Sequence, residues 1–93
     1  MAVETLQKPE TVRRLAPRYR VLLHNDDHNS MEHVVMSLMQ TVPALTQEQA
    51  VEIMMEAHLS GKALVITCAL EPAEFYCEML KSKGLSSSLE ADE

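Results

Sequence analysis

Ninety-three residues supply one domain's worth of chain, and an apolar fraction of 46% is ordinary, but three aromatics (Tyr19, Phe75, Tyr76), no Trp and seven Met predict an aliphatic, sulfur-rich core. The net charge of −6 is uneven: residues 1–18 hold four basic and two acidic groups, whereas residues 19–93 hold four basic and twelve acidic ones. Nucleic acid and anionic membrane surfaces are bound through Lys and Arg, so a body offering only Arg20, Lys62, Lys81 and Lys83 excludes both as partners.

Residues 1–17 have no clean period, contain Pro9 and Pro17, and carry too few apolar groups to offset the entropy of ordering; they read as a flexible arm ahead of a core domain at 18–93. Tyr19 to His24 alternates well enough for a strand, and Asn25 to Ser30 is a run of turn formers. Ser30 can cap a helix that starts at Met31, repeats apolar residues at Val34, Val35, Leu38, Met39 and Val42, and is closed by Pro43. A second helix opens on the Thr46/Gln49 capping-box spacing and ends at Gly61. Ala63 to Cys68 is short, branched and nearly all apolar, which predicts a buried central strand. Pro72 suits the first turn of a third helix that runs through Phe75, Tyr76, Met79 and Leu80 to Gly84, and residues 85–90 complete a last strand. The order strand, helix, helix, strand, helix, strand is an α+β fold in which helices pack on a small sheet.

Candidate chemistry concentrates at Asn25, Asp26 and Asp27, after the first strand, and at His58, late on the second helix. Turn Asn and Asp residues ordinarily bond their own backbone, and a lone His among Met54, Met55, Ala57 and Leu59 is ordinarily a core residue. Yet Ser30 already stands at the helix cap, which leaves the turn with more acceptors than capping needs. Acceptors beside an apolar helix face suit an ammonium group attached to something greasy, because its three donors want an amide oxygen, a carboxylate and a neutral imidazole. Met31 and Val34 on one helix, with Met54 and Ala57 on the next, would line the apolar cavity if the two helices face each other. Plain core packing accounts for most of the Met residues equally well.

A metal site is the rival, since His24, Asp26, Asp27, His28 and His33 bunch within ten residues, although the turn breaks any helix that would align them. Cys68 and Cys77, nine apart, match neither a redox pair nor a zinc knuckle and read as reduced thiols in a cytoplasmic setting. No nucleophile with a placed base and no Gly-rich phosphate loop occurs, so neither catalysis nor a cofactor is expected. No apolar run reaches the roughly 18 residues that span a bilayer, and the first ten residues are too polar for a secretory signal.

These residues resemble the ClpS family, the N-end-rule adaptors of the Clp proteases. The resemblance rests on Asn25-Asp26-Asp27 after an apolar strand, then Met31-Glu32 and Val34, then Met54 with His58, then Gly61-Lys62-Ala63, and last Ala73-Glu74, in order over about residues 18–90. It implies a small antiparallel three-stranded sheet packed with three helices, and a non-enzymatic, monomeric adaptor. Such an adaptor would capture proteins by a bulky hydrophobic N-terminal residue and hand them to the N-domain of a ClpA- or ClpC-type AAA+ unfoldase, in the cytoplasm or the plastid stroma.

By position in the family pattern, Asn25, Asp27 and His58 would hold the substrate's α-amino group with Asp26 close by. Met31, Val34, Met54, Ala57 and Leu89 would surround the side chain, with Met31 as a gate against β-branched residues. Glu71, Glu74 and Tyr76 would dock on the unfoldase, and the arm would engage it during delivery; a modulator that binds the unfoldase without delivering substrate is the alternative. His28, Ser30 and His33 depart from the family pattern, and Ala57 stands where Val is usual, which implies a roomier pocket.

Overall fold

The computed structural model describes residues 17–92; most of the expected arm lies outside them. Strand β1 (Arg18–His24) leads through the turn into helix α1 (Met31–Thr41), followed by helix α2 (Gln47–Ser60), strand β2 (Lys62–Ala69), helix α3 (Leu70–Ser82) and strand β3 (Ser86–Asp92). The sheet has the order β2-β1-β3 with both pairings antiparallel. This is the expected α+β architecture of three strands and three helices. No described helix is long and apolar enough to cross a membrane.

Local chemistry sets the helix ends. The Ser30 side chain accepts the His33 N–H at 3.1 Å, which starts α1, and the Val42 N–H closes it on the Leu38 carbonyl at 2.9 Å, just before Pro43. Thr46 and Gln49 exchange both capping-box bonds, at 3.1 and 3.0 Å, to start α2. That helix stops at Gly61, whose φ of 94° lies in the left-handed region where a side chain is strained. Helix α3 begins two residues before Pro72, directly from β2 and without a side-chain cap.

Two expectations are corrected. Strand β1, not β2, is central, and β2 lies at an edge where Leu64 is 44% exposed. A β-bulge explains the misleading apolar run: register shifts between Val21 and Leu22, so Ala63 pairs with Leu23, Ile66 with Val21 and Cys68 with Tyr19. Because Tyr19, Val21 and Leu23 share one face, the bulge puts Ala63, Ile66 and Cys68 on that face too, with Val65 also buried between them. A strand covered on one side thus reads as one covered on both.

The core is aliphatic, built on Val21, Leu23, Leu38, Val42, Val65, Leu80 and Leu85, with Ala50, Ala57, Ala63 and Ala73 letting helices and sheet approach closely. It is not sulfur-rich. Of the six methionines in the described residues only Met54 is buried, while Met31, Met36 and Met55 are exposed. Core packing therefore does not account for most of them.

Candidate functional site

The candidate residues come from segments far apart in sequence, and a backbone bond joins those segments. The Asn25 N–H, one residue past β1, donates to the Gly61 carbonyl at 2.9 Å. It brings the turn after β1 against the last turn of α2, which carries His58. Between them lies a hollow of about 40 Å³, lined by Leu23, His24, Asn25, Asp26 and Asn29 from the strand and turn, Met31 and Val34 from α1, and Met54, Ala57 and His58 from α2. Such a volume holds a few waters. Ala57 and Met54 are buried, whereas Met31 is 50% exposed.

The turn is held by Asp26. Its Oδ1 accepts the N–H groups of His28 at 2.9 Å and Asn29 at 3.0 Å, and Asn29 Nδ2 donates to Oδ1 and Oδ2 at 3.2 and 3.1 Å. The same Nδ2 donates to the Gly84 carbonyl at 2.9 Å, pinning the turn to the loop between α3 and β3. Burial pushes the Asp26 carboxyl up, but the Asn29 amides, the His28 N–H and the His28 charge outweigh it and hold it below its ordinary 3.8. The carboxylate is thus fixed and ionised at neutral pH. Oδ1 is saturated with donors; among the described residues Oδ2 accepts only from Asn29 and keeps capacity for a further one.

The structure brings Asn25, Asp26, His58, Met31, Val34, Met54 and Ala57 to this hollow, but not two other expected residues. Asp27 is exposed and stands outside the lining, so it is Asp26 that faces the hollow. Leu89 pairs with Val21, three residues back from the His24 end of β1 where the hollow opens, about 10 Å away at strand spacing. It packs instead on the core and lines a separate depression with Glu74, Cys77 and Glu78 of α3. Leu23, His24 and Asn29 are lining residues that the sequence reading missed; the three-residue spacing from Asp26 to Asn29 is the signal for the last.

The rival metal cluster is not assembled. His24 Nε2 shares a hydrogen bond with Ser88 Oγ at 2.7 Å, His33 Nε2 donates to the Lys83 carbonyl at 2.7 Å, and Asp26 is engaged by Asn29. Among the described residues no three His, Cys, Asp or Glu side chains are grouped to hold a metal ion. Both thiols are free; burial pushes Cys68 up from 9.0, with the Arg18 charge pulling the other way, and Cys77 is buried beside Ser87 Oγ at 3.3 Å.

On α3, Glu71 and Glu74 are exposed, but Tyr76 is half-buried against the core. Its neighbour Phe75, 58% exposed with its ring 5.9 Å from that of Tyr76 at 63°, is the aromatic group α3 offers to solvent.

Comparison with known proteins supplies the family. The family model for "ATP-dependent Clp protease adaptor protein ClpS" matches residues 14–89. The chain belongs to the ClpS family. It is 75% identical to the ATP-dependent Clp protease adapter protein ClpS of Synechococcus elongatus, across 100% of both chains. It is 50% identical over 80 residues to the chloroplastic Clp protease adapter protein CLPS1 of Arabidopsis thaliana, covering 86% of this chain and 50% of that one. Among solved structures, that of Agrobacterium tumefaciens ClpS2 bound to L-phenylalaninamide superposes with a TM-score of 0.74 at 29% identity, covering 83% of this chain and 99% of that one. The chain is accordingly a Clp protease adaptor and not the protease itself.

Proposed function

We propose that this ClpS-family chain captures polypeptides by a free N-terminal residue with a bulky hydrophobic side chain and delivers them to a Clp AAA+ unfoldase for degradation. The observation that carries the reading is the hollow itself, in which an ionised carboxylate (Asp26), an amide (Asn25) and an imidazole (His58) adjoin apolar walls (Met31, Val34, Met54, Ala57). An α-ammonium supplies the three donors those groups accept, and the attached side chain meets the apolar walls. L-phenylalaninamide, the ligand of the related ClpS2, has this chemistry: an α-amine, an aromatic side chain and an amide where a following residue would continue.

The resting hollow is small, so a bulky side chain enters by displacing Met31, whose unbranched thioether has rotamers to spare. A β-branched side chain carries its bulk at Cβ, where that movement helps least. The exposed acidic and aromatic surface of α3 (Glu71, Glu74, Phe75, with Tyr76 behind) suits the N-domain of a ClpA- or ClpC-type unfoldase. Residues 1–17 act as the arm that engages the unfoldase during delivery. The adaptor works as a monomer, in the bacterial cytoplasm or the plastid stroma, a setting supported by its cyanobacterial and chloroplast relatives.

The test is titration of a Phe-initiated peptide against its Nα-acetylated form. Acetylation removes the charge and two donors, leaving Asp26 facing a neutral amide, and should weaken binding by about 2–3 kcal/mol, roughly 30- to 150-fold. Equal affinities would end the proposal.

A further inference from the structure

A second apolar groove, of about 390 Å³, runs between α1 and α2 over Val35, Met36 and Val51, and it shares Met31 and Met54 with the first hollow. Its polar lining is limited to Glu32 and Gln47. Met36 is 58% exposed and Val51 37%, so apolar surface faces solvent beside the binding pocket. The two depressions meet at a wall made of the same two methionines. We infer that this groove seats the third residue of a captured polypeptide and selects an apolar side chain there. The inference rests on the proposed role of the first hollow in holding residue one.

Continuity and backbone geometry both favour this occupant. Asn25, Asp26 and His58 line only the first hollow, so a chain whose amine is fixed there meets the groove downstream. In an extended chain successive side chains alternate, so if residue one points down into the hollow, residue two points away and residue three points down again, about 7 Å farther on. That step crosses the wall of Met31 and Met54 that the two depressions share. The wall is methionine, which can reshape for one residue while still packing against the other.

The experiment uses the full chain and fluorescently labelled peptides with a free amine and Phe first, differing only in Leu or Ser at position two or three. Leu in place of Ser at position three should tighten binding about three- to tenfold, with little effect at position two. The double variant Met36→Ser, Val51→Ser changes two exposed side chains and should keep the thermal melt and the preference for Phe over Ala at position one, while losing the position-three gain. Equal effects at both positions, or a gain that survives in the double variant, would overturn the inference while leaving the amine pocket intact. A change in sedimentation between wild type and double variant would assign the groove to a second copy of the chain and also overturn it. Loss of the free-amine requirement in every peptide would instead remove the reading of the first hollow, and the inference with it.

Discussion

The Asn25 N–H and the Gly61 carbonyl, 36 residues apart in sequence, meet at 2.9 Å, and that bond sets the turn after β1 against the helix that carries His58. The Gly61 carbonyl is available there because a left-handed residue ends α2 and turns the chain into β2. A Cβ at Gly61 would meet nothing within 4 Å, so Gly61→Ala tests backbone conformation without a clash. Strain at its φ of 94° should cost about 1 kcal/mol and lower Tm by roughly 4–8 °C. If the bond aligns the site, the Asn25 amide should also exchange faster and peptide affinity should fall; a lower Tm with unchanged affinity would give Gly61 a structural role only.

Asn29 is expected to be a positioning residue for Asp26. It supplies one backbone and two side-chain hydrogen bonds to that carboxylate and ties it to Gly84. Asn29→Ala removes the side-chain bonds but leaves the burial that pushes the carboxyl up, so the Asp26 pKa should rise and peptide affinity should drop about tenfold. Carbon-detected NMR titration of Asp26 reads the first effect and peptide titration the second. A change in Tm alone would argue against positioning.

Pocket volume is testable at Ala57, which is 3% exposed and lines the hollow. Ala57→Val adds two methyl groups to a wall around about 40 Å³ of free space. Affinity for a Trp- or Phe-initiated peptide should fall more than for a Leu-initiated one, by a few-fold, about 1 kcal/mol of overpacking. Identical rankings in wild type and variant would mean that the first side chain does not contact this wall.

Much of the fold was legible because helix ends are governed by local chemistry: Ser30, Thr46 with Gln49, and Gly61 each act within a few residues of themselves. Strand order was not, because the bulge at Val21/Leu22 is a property of the pairing and makes β2 look buried on both sides. At the site, the helical spacing of Met31 with Val34 and of Met54 with Ala57 and His58 anticipated the faces that meet. Neighbouring Asp26 and Asp27 are separated only by the weak signal that Asn29 stands three residues after Asp26; their directions depend on which one accepts the His28 and Asn29 amides. The count of methionines likewise carried no information on where they lie; only the packing put Met31 and Met36 at the surface.

The pH dependence follows from Asp26. Its carboxyl lies below 3.8 in the folded chain, so its hydrogen bonds contribute stability that is fully present above the ordinary carboxylate value and lost as pH falls through the lowered one. The turn should therefore remain intact, and the carboxylate charged for an ammonium, throughout the mildly acidic range. Below about pH 4 the order of events is the test: the Asn29 amide resonance should follow Asp26 protonation, and in Asn29→Ala the corresponding transition should move to higher pH. If the Asn29 amide titrates at or above the ordinary carboxylate value of 3.8, the bonds to Asp26 contribute little and the preorganised anion is lost from the account of the site.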